Sequence, residues 1–234
     1  MTQISVCMAT FNGEKFIQKQ VKSILVQLGQ EDELIVSDDS STDNTLAILE
    51  KLADKRIKIT FNDGRPGPVG NFEQAMKRAR GNIIILSDQD DVWLPDKVNT
   101  IRYLLQSADL VLSDCRVVDE NDGMLYPSFF SHRNSQPGFW YNLYKNSYVG
   151  CCMAFRAEIL TYALPIPASI HMHDWWIGLL VEAKGKTHFH SKPLINYVRH
   201  GSNASPTGET GYDFPKRLRN RFTLLWYIIK RLIK

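Results

Sequence analysis

The sequence predicts an α/β fold, a mostly parallel central sheet with helices on both faces. Three observations predict it. Short apolar strands alternate with helical stretches over roughly residues 1–115. Ile83-Ile84-Ile85-Leu86 is apolar without alternation, as expected of a central strand covered on both sides. Acidic clusters follow several strands, at the edge where open parallel sheets bind ligands.

Taken in order, Ile4, Val6 and Met8 alternate with small or polar residues and give a strand near 3–9, closed by the turn Thr10-Phe11-Asn12-Gly13. Phe16, Ile17, Val21, Ile24, Leu25 and Leu28 recur at helical spacing, predicting a helix over about 14–28. Glu33–Ser37 is a short strand ending in Asp38-Asp39. Ser41-Thr42-Asp43 offers capping side chains to a helix bearing Leu46, Leu49 and Leu52. A third strand, Ile57–Phe61, leads to a Gly/Pro loop, Asn62–Gly70, and a helix at Asn71–Arg80 stopped by Gly81. The Ile83–Leu86 strand ends at Ser87-Asp88-Gln89-Asp90-Asp91. Pro95 suits the first turn of a helix with Val98, Ile101, Leu104 and Leu105 on its apolar face. Asp109–Ser113 is a fifth strand, followed by Asp114. Beyond it the sequence predicts a long loop at Asp119–Gln136, a strand at Gly150–Arg156, a helix at His173–Ala183, and one or two strands in Thr187–Val198.

The 234 residues suit one domain, with 1–211 as the body and 212–234 as a basic amphipathic helix. Four cysteines, none in a CxxC pair, give neither a disulfide framework nor a zinc ribbon, and a reducing cytosol is expected. No signal peptide is visible, and no run reaches the roughly 18 apolar residues of a membrane span. From Lys216 onward there are seven Lys/Arg and no Asp/Glu, so the net charge of +3 splits into −4 for the body and +7 for the tail. An acidic body argues against general nucleic-acid binding, and the basic tail points to one local anionic partner.

Carboxylates gathered on one rim repel one another unless a cation sits among them, and hard oxygen ligands suit Mg²⁺ or Mn²⁺. Asp88-Gln89-Asp90-Asp91 is therefore read as a metal-diphosphate site, against the alternative that Asp is simply common in turns.

Ile4–Gly13 (ISVCMATFNG), Ile35–Asp43 (IVSDDSSTD) and Leu86–Lys97 (LSDQDDVWLPDK) resemble, in order and spacing, the successive motifs of the family 2 glycosyltransferases. The resemblance covers roughly residues 1–120. Ser87–Trp93 (SDQDDVW), His173-Asp174-Trp175-Trp176 and Tyr197–Asn203 (YVRHGSN) extend it toward a rhamnosyltransferase-like branch. The resemblance implies the GT-A fold, a Rossmann-like architecture for nucleotide-diphospho-sugar transferases. It also implies an inverting, metal-dependent transfer from a nucleotide-diphosphate sugar, with dTDP-rhamnose slightly preferred. The acceptor would be a glycan or lipid-linked glycan in surface polysaccharide synthesis. A UDP-hexose or UDP-N-acetylhexosamine transferase of the same fold is the nearest alternative, and a nucleotide-sugar-binding pseudoenzyme the non-catalytic one. A sugar nucleotidyltransferase would need a glycine-rich basic loop, which Ala9–Gly13 lacks.

The resemblance also implies roles by position. Thr10, Phe11 and Asn12 fall in the donor-binding set, with Phe11 against the base. Asp39 accepts a hydrogen bond from a pyrimidine. Asp88 and Asp90 are the outer residues of the DXD motif, Asp90 as direct metal ligand and Asp88 at the ribose or the metal shell. Asp174 is the catalytic base, although the family more often has Glu-Asp where this chain has His173-Asp174. His200 approaches the metal or diphosphate, and Arg199 neutralises phosphate.

Several residues carry two readings. Asp174 also suits a helix N-cap. Trp175 and Trp176 fit either a sugar platform or the core. Arg65 fits a phosphate contact or a plain turn. His171, His173, His188 and His190 are paired without a clear further zinc ligand. The tail's stripe of Leu218, Phe222, Leu225, Ile229 and Leu232, with basic flanks, predicts a helix on an anionic membrane surface, placing the chain at the inner face of the cell membrane. Packing on the body or on a subunit is its alternative.

Overall fold

The computed structural model describes residues 3–201 and 214–233. Five strands and four helices make the first half: β1 (Ile4–Thr10), α1 (Ile17–Leu25), β2 (Glu33–Asp38), α2 (Thr45–Lys51), β3 (Ile57–Phe61), α3 (Pro68–Arg78), β4 (Ile83–Asp88), β5 (Val92–Trp93) and α4 (Lys97–Leu104). The second half holds β6 (Leu110–Asp119), β7 (Met124–Tyr126), α5 (Phe129–Arg133), α6 (Phe139–Tyr144), β8 (Met153–Arg156), α7 (Leu160–Ala163), α8 (His173–Lys184), β9 (Thr187–Arg199) and α9 (Phe214–Leu232).

All nine strands join one sheet in the order β3-β2-β1-β4-β8-β6-β9-β5, with β7 on β6. The first four are mutually parallel, as the crossover helices require. β8 runs antiparallel between β4 and β6, and β5 and β7 are antiparallel as well, so the far half is mixed. Thr10 lies beside Asp38 and Ala9 beside Asp88, which brings three strand ends to one rim. The core runs through the sheet: Val6, Met8, Ile84, Ile85, Leu86 and Val111 are wholly buried.

The structure moves several predicted boundaries, each for a local reason. The first helix occupies 17–25, because 13–16 form a tight turn with Phe16 and Ile17 amides on the Gly13 carbonyl. α3 starts at Pro68, inside the predicted loop, since Gly67 at φ 89° lets the chain turn straight into it. Pro95 precedes α4 rather than opening it, and left-handed Asp96 intervenes. The predicted fifth strand continues to Asp119, held there by parallel pairing with β9. Asp114 is thus inside a strand and not on the rim. Its carboxylate accepts from Ser128 Oγ at 2.5 Å and Phe130 N at 2.9 Å, anchoring α5. The predicted 119–136 loop contains β7 and α5, and the predicted 150–156 strand begins only after a 3₁₀ turn at Gly150–Cys152. All four cysteines are buried and free.

The tail helix α9 presents two apolar faces, not one. Leu224 and Ile228 are buried against the body, while Leu218, Phe222, Trp226, Ile229 and Ile233 stand exposed. Arg221 donates to the Tyr144 carbonyl at 2.6 and 3.0 Å and lies 5.7 Å over the Trp175 ring. Packing on the body and an exposed apolar stripe therefore coexist. No described helix is long and apolar enough to cross a membrane. The boundary expected at 211/212, Asn203 and Lys234 lie outside the described residues.

Candidate functional site

The rim of β2, β1 and β4 is tied together by side chains. Thr10 is buried, and its hydroxyl donates to the Ser37 carbonyl and Asp38 Oδ2, so it locks two strand ends instead of offering a free contact. Its carbonyl accepts from the Asp39 amide at 2.9 Å and from Asn71 Nδ2 at 3.0 Å. Asn12, left-handed at φ 48°, accepts from the Thr42 amide at 2.8 Å and holds the 41–43 turn. Phe11, in the turn after β1, is 54% exposed. Its backbone exchanges hydrogen bonds of 2.9 and 3.0 Å with the Gln89 amide. A Cβ on Gly13 would come within 2.3 Å of Gln89 Oε1, so a larger residue there would displace the Gln89 side chain from this bond pair.

Asp39 accepts from Asn62 Nδ2 and from the Gly67 amide, each at 2.7 Å. It thereby fastens the Gly/Pro loop beside the rim. Asp39 and Asp88 follow strands separated only by β1, about 10 Å at two strand spacings. Arg65 is not aimed at the rim. Its guanidinium donates to the carbonyls of Pro167, Ala168 and Ile170, which corrects the phosphate-contact reading.

The acidic cluster sits at the end of β4. Asp90 Oδ2 lies 2.7 Å from His200 Nε2, although 110 residues separate them in sequence. His200 stacks on Phe16 at 4.6 Å, which fixes the ring. The pairing arises because β9, antiparallel to β5, delivers its last residue Arg199, and then His200, to the β4 end. Burial, then the charges of Asp90 and Asp174, push the Asp88 carboxyl up to about 8. Charges act on a carboxyl in this way only at short range, so the three carboxylates lie near one another.

Asp174 stands in the first turn of α8, not at its cap, which Met172 occupies. Its Oδ1 accepts from the Trp175 amide at 2.7 Å. Burial raises its carboxyl to about 6, partly offset by backbone N–H donors. His173, beside it, is held neutral by burial, pushed down to about 3, with Phe72 against its ring at 4.2 Å. Both tryptophans are core: Trp175 Nε1 donates to the Asn142 carbonyl and Trp176 Nε1 to the Ala163 carbonyl. Neither is a sugar platform.

Two residues in this region, Cys151 and Lys97, have no role in the sequence reading, and Asp91 enters it only as a member of the Asp88–Asp91 cluster. Asp91 is buried, with Oδ1 on the Val198 amide and Oδ2 without a hydrogen-bond partner. Ligand atoms of Asp88, Asp91 and Cys151 lie within 4.8 Å of one another. Beneath them Lys97 is fully buried, donating to the Cys151 carbonyl at 3.0 Å and lying 4.3 Å over Trp93. Burial lowers its ammonium to about 8.

A cation fits this donor set. Mutually repelling carboxylates, an imidazole at 2.7 Å from one of them and an orphaned buried oxygen are hard and borderline ligands.

The fold has close solved counterparts. It is similar to residues 1–349 of S. aureus TarS in complex with UDP, with a TM-score of 0.70 at 20% identity over 97% of this chain and 65% of that one. This likeness, with the strand-end carboxylates, defines the class: a GT-A glycosyltransferase fold. The chain belongs to glycosyl transferase family 2, whose description matches residues 5–162. It is 30% identical over 216 residues to dTDP-rhamnosyl transferase RfbG of Shigella flexneri, covering 84% of this chain and 72% of that protein. It is 28% identical over 181 residues to the Escherichia coli UDP-Glc:alpha-D-GlcNAc-diphosphoundecaprenol beta-1,3-glucosyltransferase WfgD, covering 76% and 69%.

Proposed function

We propose that the chain transfers a sugar with inversion from a nucleotide-diphosphate donor to a glycan hydroxyl, in a metal-dependent reaction. One observation carries this reading: at the end of β4, Asp88 stands with Asp90, itself 2.7 Å from His200, and Asp174 is near enough for its charge to act on Asp88. In this reading Asp39 and exposed Phe11 receive the nucleobase, with Thr10 and Asn12 holding the turn that presents Phe11. Asp88 lies toward the ribose and diphosphate, and Arg199 adds positive charge beside them. Asp90, Asp88 and His200 would hold Mg²⁺ or Mn²⁺, which supplies Lewis-acid stabilisation of the departing diphosphate.

Asp174 takes the proton from the attacking hydroxyl. A carboxyl raised to about 6 is still ionised at neutral pH, yet more basic than an exposed aspartate. Its burial also shields the proton transfer from bulk water.

The donor is dTDP-rhamnose, a preference supported by the 84% coverage shared with the Shigella flexneri rhamnosyl transferase. A UDP-glucose donor is the second reading, favoured by the similarity to WfgD. The acceptor is a lipid-linked glycan, and the outer face of α9 rests on the membrane carrying it. Phe222 and Trp226 expose an apolar stripe flanked by Lys216, Arg219 and Lys230, the pattern of an interfacial helix.

A panel of nucleotide sugars, with and without divalent ion, tests the reading by release of nucleoside diphosphate. Turnover on dTDP-rhamnose that requires the ion is the expected result. Nucleotide binding with no turnover on any donor would make the chain a binding protein instead.

A further inference from the structure

The segment 162–170, which joins α7 to the approach of α8, has little secondary structure of its own, yet it is fastened at both ends by arginines from distant parts of the chain. Arg231, on α9, donates to the carbonyls of Tyr162 at 2.7 Å, Leu164 at 2.9 Å and Pro165 at 2.6 Å. Arg65, in the Gly/Pro loop before α3, donates to those of Pro167 at 3.4 Å, Ala168 at 2.9 Å and Ile170 at 2.6 Å. Between them the Ile166 amide donates to Glu73 Oε2 at 3.1 Å, from α3. The same stretch contacts the first turn of α8, because Trp176 Nε1 donates to the Ala163 carbonyl and the Arg231 guanidinium lies 5.3 Å over the Trp176 ring.

A guanidinium is a planar fork of fixed donors, so three carbonyls around one Arg are held in a set geometry. Unsatisfied carbonyls at the end of a short helix and in an irregular strap otherwise turn to water and let the backbone wander. Asp174 follows the strap by four residues and cannot be more exactly placed than the chain that feeds its helix. Arg65 is itself fixed from the other side. Asn62 Nδ2 donates to both the Arg65 carbonyl and Asp39, and the Gly67 amide donates to Asp39.

We propose that Arg65 and Arg231 are positioning residues, clamping the 162–170 strap from its two ends and so setting where Asp174 stands in the cleft. The inference rests on Asp174 being the base. Arg65 further links the strap to the loop held by Asp39, so the donor side and the base side of the cleft share one hydrogen-bonded connection.

The test uses the full chain with the donor that gives turnover, and kcat is expressed per folded molecule by circular dichroism. Arg65→Ala and Arg231→Ala are each expected to lower kcat by on the order of tenfold to a hundredfold, since small misplacements of a reacting group have effects of that size. Nucleoside-diphosphate affinity, measured by calorimetry, stays within about twofold in Arg231→Ala. Arg65→Lys and Arg231→Lys, which keep the charge and the fold, give intermediate kcat. In an Asp174→Asn background neither alanine substitution lowers residual turnover further, because the arginines act through the base. Unchanged kcat in the lysine and alanine variants, or losses that add fully to that of Asp174→Asn, would overturn the inference. If Asp174→Asn itself keeps most of its turnover, the base assignment has failed, and that outcome is distinct from a failure of the clamp alone.

Discussion

The parallel half of the sheet and the mixed half reach the cleft by different routes. In the parallel half, Asp39 stands directly after β2 and the Asp88–Asp91 cluster begins on the last residue of β4, so the strand ends themselves bring them to the rim. In the mixed half nothing is local. His200 meets Asp90 through the pairing of β9 with β5, and Asp174 depends on a strap held by side chains from α9 and the Gly/Pro loop. One half carries its chemistry at strand ends, and the other imports it by tertiary contact. Changes at Asp39, Asp88 and Asp90, and at Arg199 and His200 delivered to them by β9, should act on donor and ion, and changes at Asp174 and its strap on proton transfer.

The largest expected effect sharpens that division. Asp174→Asn should reduce transfer by about 10²–10⁴-fold while nucleoside-diphosphate affinity is retained. Loss of nucleotide binding in that variant would erase the distinction between the halves. Asp90→Ala should lower turnover by roughly 10²–10³-fold and abolish the response to added Mg²⁺ or Mn²⁺. Persistence of the ion response would place the cation elsewhere, for example among Asp88, Asp91 and Cys151.

The pH profile is a milder probe. Asp174 has its pKa raised, so its proton is held up to about pH 6 and the base is lost as pH falls through that value. With other steps unchanged, kcat should drop about tenfold per pH unit below 6, and a flat profile down to pH 5 would exclude a base of this kind. The smallest effect concerns α9. Phe222→Glu with Trp226→Glu should weaken binding to anionic vesicles by about tenfold or more without lowering thermal stability, since both side chains face outward. Unchanged co-sedimentation would remove the membrane role. Deleting α9 is the poorer experiment, because it also strips Leu224 and Ile228 from the core.

Legibility in the sequence follows the same division. The alternation of strands and helices, the buried run Ile83–Leu86 and the acidic strand end at Asp88 are short-range patterns, and the structure has each of them. Asp114 lies inside a strand because β9, more than 70 residues later, and β7 pair with β6 beyond it. The start of α8 at His173 is legible in the sequence, and it puts Asp174 inside the first turn, so the cap reading of Asp174 does not hold. The inner face of α9 was missed for a related reason. Leu224 and Ile228 repeat at helical spacing just as the exposed stripe does, and composition alone cannot say which stripe meets the body. Lys97 did have a signal: it is four residues before buried Ile101, on the same helical face. A lysine on an apolar stripe reads as solvated unless the ring and carbonyl that receive it are known.

Lys97 has one more consequence. A buried ammonium beside the acidic motif, still charged at neutral pH, is a resident counter-ion supplied by the chain itself and not by the solvent. Part of the mutual repulsion around Asp91 is relieved before any guest arrives, so assembly of the rim and loading of the ion become separable events. Chelator treatment should accordingly leave melting behaviour largely intact, whereas Lys97→Met should not.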